Sequence, residues 1–541
     1  SGSGATVTWA TTDKGWKFVY FDGVATNTGV FDINADLSIN ALTIRGNLTV
    51  DGGTIKLDGN YPTASENVAL GNDALASGSL SGNCNTAIGN QALIANTSGA
   101  GSVAVGSKAL CSNTTGGTNV AIGVESVCNN TTGTKNVGVG LNSLRKVTTG
   151  SCNVGIGTSA LQNGGTGSNN VAVGNQSQLT NNSGSNNTSV GSCSLNDNTS
   201  GLCNTAMGMS ALESNTDGCN NAALGYKALF SNTTGCCNSS FGRTSMELNT
   251  TGCFNVAVGT DALSSNTSAN NNVAVGFKAL LANTTGANSV AVGCGALTDN
   301  TVGDQNTAVG GTALGDNTEG EYNAAFGYNA LRKNTTADNN AAFGYYALAC
   351  NTTGANNVAL GRASLCSNTT ASANTAVGQG ALKSNTTGST NEAIGCDALA
   401  ANTTGSENTI VGREAGCSNT TGNCNTAVGS RSLKSNTEGF GNIAIGYHAL
   451  CTNTTGSVNL AVGFCAMESN TTGGSNTAVG TNTLQANTTG TDNTAVGRGA
   501  MVNNTEGLCS TAMGGNALAC NTTGCYNSAF GRDALCANTT A

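Results

Sequence analysis

Cysteine is the residue type in this chain with the widest chemical repertoire, and 22 of the 541 residues are cysteine. Eighteen of them lie on one side or the other of a recurring Asn-Thr-Thr-Gly segment. The candidates for disulfides or stacked thiol columns are Cys111, Cys128, Cys219, Cys236, Cys253, Cys417, Cys424, Cys520 and Cys525.

Two arrangements could bring these thiols together. Cys417 and Cys424 bracket a single turn, as do Cys520 and Cys525. Other candidates recur at intervals of seventeen residues, so stacking of successive repeats at strand spacing would separate their Cα atoms by about 4.8 Å, which a disulfide can span. We therefore predict disulfides across turns, between repeats or between chains in an oxidising environment. The alternative is that cysteine serves as a small apolar filler.

Other chemistry has little support in the sequence. There is no Cys-x-x-Cys pair, and the single histidine, His448, has no ligand set near it, so we predict no metal and expect His448 to face solvent. The acidic residues form no calcium-loop pattern, and no Gly-Lys-Ser/Thr segment follows the glycines. A Ser-His-Asp triad is implausible as well. The sequence predicts neither catalysis nor a cofactor.

A glycine recurs every seventeen residues without a slip from Gly89 to Gly531, and Gly71 stands one residue out of step. We call this residue the repeat glycine and number the positions of a repeat from it, as position 0. The consensus is N-T-A-V-G-x-x-A-L-x-x-N-T-T-G-x-x. Such a period is typical of a chain that stacks one small unit on the next. Representative repeat glycines are Gly89, Gly106, Gly123, Gly259, Gly276, Gly480 and Gly531.

The repeat predicts an all-β fold, a parallel β-solenoid (β-roll) of 17-residue coils. Seventeen residues are too few for two helices and a turn, and N-T-A-V-G has strand alternation. A second short strand could hold the Ala-Leu pair, while Asn-Thr-Thr-Gly is turn chemistry in which Asn and Gly can take positive φ. Coils rising ~4.8 Å each would form a rod on the order of 130 Å long.

Each coil offers a thin core of Ala at −2, an apolar residue at −1, Ala or Ser at +3 and Leu at +4. Asparagine at −4 and +7 is expected to form ladders in which each amide bonds to the coils above and below. The alternative is that these residues merely tolerate turns. Ladder candidates at +7 are Asn113, Asn232, Asn283, Asn351, Asn402, Asn453 and Asn521.

The chain divides into a β-rich N-terminal base or collar, residues 1–66, and a repeat shaft, residues 67–541. The base contains both tryptophans, and the only proline, Pro62, marks the junction. The net charge is −9 and no basic stripe is present, so nucleic acid is an unlikely partner class. The sequence contains no run of eighteen apolar residues, so we predict no membrane span. The Ser-Gly-Ser-Gly start is typical of a processed or trimmed end.

Each coil offers few apolar side chains for a core within one chain. We therefore favour a homotrimer over a single-chain solenoid, because three chains would bury their apolar edges against each other. Two sequence resemblances agree with this. The segments Asn85–Gly89 and Asn255–Gly259 resemble the N-S-V-A-I-G repeat of trimeric autotransporter adhesin heads, which are left-handed parallel β-rolls, although the period here is longer. The full unit also resembles repeats of bacteriophage and viral tail-fibre-like proteins, and Gly46–Gly52 resembles their shaft turns.

The function expected from these features is a structural fibre on a virion or cell surface, hence extracellular, acting in attachment or decoration. Its partners would be further fibre or surface components at the N-terminal base, and a surface glycan or host receptor. The alternative is a ligand-binding solenoid that recognises glycan or ice through its repeated Thr and Asn loops. A pectinase-like enzyme is a third possibility, but the carboxylate cluster it needs is not found in the sequence.

Overall fold

The repeat region forms a parallel β-solenoid of about 27 coils in the computed structural model, which describes residues 66–540. Within that range the chain is all-β and has no helix, so the predicted fold class is confirmed. The base predicted for residues 1–66 lies, apart from Glu66, outside the described residues.

A strand of three residues recurs once per repeat, and the 28 strands that bound the 27 complete coils of the described residues form a single sheet. The strands are β1 Val68–Leu70, β2 Thr86–Ile88, β3 Val103–Val105, β4 Val120–Ile122, β5 Val137–Val139, β6 Val154–Ile156, β7 Val171–Val173, β8 Thr188–Val190, β9 Thr205–Met207, β10 Ala222–Leu224, β11 Ser239–Phe241, β12 Val256–Val258, β13 Val273–Val275, β14 Val290–Val292, β15 Thr307–Val309, β16 Ala324–Phe326, β17 Ala341–Phe343, β18 Val358–Leu360, β19 Thr375–Val377, β20 Glu392–Ile394, β21 Thr409–Val411, β22 Thr426–Val428, β23 Ile443–Ile445, β24 Leu460–Val462, β25 Thr477–Val479, β26 Thr494–Val496, β27 Thr511–Met513 and β28 Ser528–Phe530.

Every strand pairs in parallel with the strand of the next coil, and the register equals the sequence period. Val273 in β13 lies opposite Val290 in β14, seventeen residues on. The first pairing is offset by one residue more, with Val68 opposite Thr86, as the phase of Gly71 predicts. Equivalent residues of successive coils therefore form straight columns.

The core is narrower than the sequence predicts. In a typical coil Ala274, Ala279 and Leu280, at −2, +3 and +4, are fully buried. The apolar residue at −1 was expected in the core as well, and that expectation is wrong: Ile122 is 42% and Leu224 is 45% exposed. Consecutive strand residues point to opposite faces, so −2 and −1 cannot both face inward.

The expected second strand is also absent from residues 66–540, because the Ala-Leu pair lies in a turn. Three positions of each coil adopt left-handed backbone conformations, as Lys278 (φ 57°), Leu280 (φ 52°) and Asn288 (φ 57°) illustrate. These are +2, +4 and +12, not the Asn and Gly of Asn-Thr-Thr-Gly. A left-handed non-glycine residue costs roughly 1–2 kcal/mol; at +4 complete burial of the leucine offsets this cost.

The repeat glycine is required by a close approach of successive coils. Gly276 has φ 135°, and a Cβ atom on it would lie 2.5 Å from the carbonyl oxygen of Gly293. Any larger residue would force the two coils apart. The same arrangement recurs at Gly89, Gly106, Gly123, Gly259 and Gly480; Gly531, in the last described coil, has open space instead.

Candidate functional surfaces

Asparagine at −4 fastens each coil to the next through its side chain. The Asn255 Oδ1 atom accepts the backbone N–H of Asn272 at 2.9 Å. The Asn272 Nδ2 atom in turn donates to the carbonyl of Gly286, at +10 of its own coil, at 2.8 Å. Both residues are fully buried, so each amide satisfies backbone groups that water cannot reach.

Asparagine at +7 forms a second column in which the amides bond to one another. Asn283 Nδ2 donates to Asn266 Oδ1 at 3.2 Å and to the Gly286 carbonyl at 2.9 Å. Both columns thus meet at one carbonyl oxygen. The same two donations, to the asparagine seventeen residues earlier and to the carbonyl three residues later, are made by Asn113, Asn232, Asn351, Asn402, Asn453 and Asn521.

A third column, at +11, was not anticipated from the sequence. Cys236 Sγ accepts the backbone N–H of Cys219 at 3.2 Å, and Cys253 Sγ accepts that of Cys236 at 3.1 Å. Elsewhere in the column the acceptor is an oxygen atom: Asp304 Oδ1 accepts the backbone N–H of Ala287 at 2.6 Å. The signal available in the sequence was the recurrence of Cys, Ser, Asn and Asp at this one position, all of which carry an acceptor.

Of the candidate cysteines, the structure joins one pair. Cys111 and Cys128, both at +5, form a disulfide between successive coils with their Cα atoms 4.9 Å apart. The turn-bracketing cysteines are free thiols with other contacts: Cys417 Sγ lies 3.6 Å from the Lys434 carbonyl, and Cys424 Sγ lies 3.3 Å from a Glu407 carboxylate oxygen. Cys219, Cys236, Cys253, Cys520 and Cys525 are free thiols as well, and their oxidation stays a prediction.

The outward-facing side chains at −1 form an apolar column along the sheet. The residue at −1 is apolar in all 28 strands, and many of these side chains are about 40% exposed, including Ile156, Ile394 and Met513. We call this column the outer strand face. Its aromatic members stack on their neighbours: the ring centroids of Phe326 and Phe343 are 4.8 Å apart with the rings nearly parallel.

Exposed aromatic residues at +1 flank the outer strand face. Tyr328 and Tyr345 are 52% and 53% exposed, and their ring centroids lie 5.8 Å apart. Tyr447 stacks on Phe464 in the same way, at 5.5 Å. The apolar surface is therefore widest where these rings occur.

His448 was expected to face solvent, and that expectation is wrong, because its side chain belongs to a polar cluster. Its side chain is 19% exposed, and Nδ1 lies 3.0 Å from Glu468 Oε1. Burial alone would raise the pKa of Glu468, but hydrogen bonds from His448, Gln485 and Cys465 outweigh it and the pKa is lowered. Burial, together with the Glu468 hydrogen bond, raises the pKa of the Cys465 thiol to about 11.

The regular columns break over a short stretch of coils. Val147 and Gly164 replace asparagine at +7, and Asn130 Oδ1 is consequently buried without a hydrogen-bond partner. Two coils on, Gln178 replaces leucine at +4 and is fully buried, with Nε2 donating to the Val171 carbonyl and to Ser189 Oγ, both at 2.9 Å. This polar layer separates the two apolar clusters of the core.

A polar groove follows the same stretch on the side of the +6 and +8 columns. Its volume is about 520 Å³. Asn163 contributes an Oδ1 atom that makes no hydrogen bond, and Lys146 contributes a positive charge. The lining residues are Asn129, Lys146, Thr148, Asn163, Gly165, Thr180, Asn182 and Thr199.

Comparison with known proteins finds no family model, no curated protein and no solved structure that matches the chain. Residues 66–540 contain no group of three or more His, Cys, Asp or Glu side chains placed to hold a metal ion. The same residues include no helix of the length and apolarity that crossing a membrane requires.

Proposed function

We propose that this chain is a non-catalytic structural fibre protein of a virion or cell surface, and that its copies pack side by side through the outer strand face as a homotrimer. The observation that carries the proposal is the apolar residue at −1, present in all 28 strands yet outside the core. A continuous column of apolar side chains that is half-buried to exposed along the whole sheet is typical of a contact surface.

A second copy of the chain is the occupant that best matches this face. Successive apolar side chains are one strand spacing apart, about 4.8 Å. A parallel copy has the same spacing, so its contacts repeat at every coil. If each −1 side chain exposes about 50 Å² of apolar surface, the 28 strands offer roughly 1,400 Å² per chain. This area exceeds the ~800 Å² that each partner buries in a standard interface. The number of copies, three, is taken from the resemblance to trimeric adhesin heads.

The assembly is tested by measuring the mass in solution. We expect sedimentation equilibrium of the purified chain to give three times its mass of 53.2 kDa. The double variant Phe326→Lys/Phe343→Lys should dissociate to monomers with unchanged β circular dichroism, because lysine at this face repels its copy in the partner.

Thr336→Lys/Thr353→Lys is the matched control, since it adds the same charge to the same two coils at exposed positions. It should remain trimeric. A wild-type chain that is monomeric at micromolar concentration would refute the assembly, and a trimeric Phe326→Lys/Phe343→Lys variant would place the interface elsewhere.

The extracellular location and the attachment role are tested on intact material. Antibodies against the repeat region should label the surface of intact virions or cells in electron micrographs, without permeabilisation. The remaining partners we propose are fibre or surface components at residues 1–66, and a surface glycan or host receptor bound along the shaft through many weak contacts. Labelling that requires disruption of the particle or cell would contradict a surface location.

Saccharide binding is the second candidate, favoured by the polar groove of about 520 Å³, a volume typical of ligand sites. Its amides, hydroxyls and single ammonium suit an anionic saccharide. A glycan array should detect binding that Lys146→Ala/Asn163→Ala abolishes and that the exposed substitution Thr285→Ala leaves intact.

Ice binding has less support. Threonine at +8 donates its hydroxyl to the next coil, as Thr284 does to the Thr301 carbonyl at 3.0 Å, so the two adjacent threonine columns do not form one flat array of free hydroxyl groups. A measurable thermal hysteresis would reverse this ranking.

A further inference from the structure

Two further pairs of cysteines meet at the corner of the coil where Cys111 is bonded to Cys128. Cys350, at +6, donates its backbone N–H to the carbonyl of Cys366, at +5 of the next coil, at 3.1 Å. Cys520 and Cys536 repeat this arrangement at the same distance. A direct backbone hydrogen bond keeps the two Cα atoms within the range of about 4.4–6.8 Å that a disulfide spans.

We propose that Cys350 with Cys366, and Cys520 with Cys536, form disulfides between successive coils, which gives the solenoid three covalent staples at one corner. Cys350 and Cys366 are both half-buried. The pKa of Cys366 is raised, first by burial and then by the charge that Cys350 would carry, which is consistent with two thiols close to each other.

The +11 cysteines form a different class, although they too recur on successive coils. The sulfur atoms of Cys236 and Cys253 each hold a backbone N–H of the preceding coil. Oxidation would turn these sulfurs away from those half-buried N–H groups and break both hydrogen bonds between the coils. Cys525 belongs to this class, because its sulfur accepts the Leu508 N–H at 3.3 Å. Cys520 therefore pairs with Cys536 and not with Cys525 across the turn.

The oxidant is a small-molecule disulfide such as oxidised glutathione. One protein thiolate attacks it, forms a mixed disulfide and releases one glutathione thiolate. The second protein thiolate then attacks the protein sulfur of the mixed disulfide and expels the other glutathione. The two protons leave the cysteines and protonate the two released thiolates, so each pair is oxidised while one glutathione disulfide is reduced.

The experiment combines oxidation with mapping of the full chain. The reduced protein is treated with oxidised glutathione, alkylated, and digested without reduction for mass spectrometry. We expect linked peptides that join Cys350 to Cys366 and Cys520 to Cys536, with Cys219, Cys236 and Cys253 alkylated. Alkylated Cys350 and Cys366 after oxidation, or oxidation of the +11 cysteines first, would overturn the proposal.

A second measurement uses the variant Cys366→Ser. Serine already occupies +5 in another coil, at Ser264, so this substitution is compatible with the fold. In this variant the glutathione adduct on Cys350 should persist, because no resolving thiol remains. Oxidation should slow amide exchange around residues 350–366 on the order of 100-fold in the wild type, as expected for closing a loop of about this length. Equal slowing in Cys366→Ser would mean that a staple is not the cause.

Discussion

Replacement of Asn283 by alanine tests whether the +7 amide column holds the coils together. The substitution removes both donations of Asn283 Nδ2 and the acceptor for Asn300 Nδ2, which lies 2.9 Å from Asn283 Oδ1. The Gly286 carbonyl keeps its other donor, Asn272. Asn300 still donates to the Gly303 carbonyl. The lasting damage is thus confined to Asn266 Oδ1 and one N–H of Asn300.

Both of these atoms are buried, and a buried polar group without a partner costs about 1–3 kcal/mol. A total of roughly 3 kcal/mol corresponds to about a 100-fold change in a local opening equilibrium, at ~1.4 kcal/mol per tenfold. The structure already tolerates half of this damage, because Asn130 Oδ1 has no partner below Val147. We therefore expect Asn283→Ala to fold with a weak point and not to unfold outright.

The assay is amide hydrogen exchange resolved by peptide, with Thr285→Ala as the matched control, since Thr285 is exposed in the same turn. Exchange should accelerate about 100-fold in residues 266–303 and should be unchanged in distant coils, because each coil contacts only its neighbours. Unchanged exchange in residues 266–303, or an equal effect of Thr285→Ala, would refute the argument that the column carries stability.

Three further substitutions or measurements follow from the same geometry. Gly276→Ala should abolish soluble folded protein, since its Cβ would lie 2.5 Å from the Gly293 oxygen, whereas Gly515→Ala, with no atom closer than 3.9 Å, should express normally and show wild-type circular dichroism. Val147→Asn/Gly164→Asn should raise the free energy of unfolding, measured by chemical denaturation, by about 1–2 kcal/mol, because it completes the +7 column. Both residues must change, since a Cβ atom on Gly164 would lie 2.5 Å from Val147 Cγ2. A lower denaturation midpoint for the double variant would contradict this prediction. Cys465 is 6% exposed, and its pKa is raised to about 11. It should be alkylated at pH 8.5 at least ~100-fold more slowly than an ordinary thiol of pKa about 8.5, and faster as the pH rises towards 11. Mass spectrometry of timed samples measures the rate, and labelling as fast as that of the exposed cysteines would count against the prediction.

The period of the sequence was sufficient to predict the fold because it states which residues stack. Once Val273 and Val290 share a phase, parallel pairing in register is the arrangement that repeats for every coil. The same phase places Asn266 next to Asn283. It does not say that one amide hydrogen goes to the neighbouring side chain and the other to a carbonyl, because that depends on where the turn brings position +10.

The direction of individual side chains could not be predicted from the period. The apolar column at −1 was assigned to the core because it is apolar, but alternation along the strand directs it outward. The left-handed residues at +2 gave no signal either, since Lys278, Thr312 and Asp397 all adopt that conformation and share no preference for it. His448 was expected at the surface because Glu468, its partner, is twenty residues away in sequence and comes close only through the coil.

Because each strand pairs with its equivalent one coil away, the chain can gain or lose whole coils over generations. Where the columns are regular, deleting or duplicating seventeen consecutive residues leaves each remaining coil next to an equivalent neighbour, and its glycine contact and amide bonds re-form across the splice. Such an event alters the height of the stack by one rise, about 4.8 Å, unless it removes a coil with its own contacts, such as the Cys111–Cys128 disulfide. Length is therefore a freely adjustable trait of this architecture, set by copy number in the gene and independent of what any single coil displays.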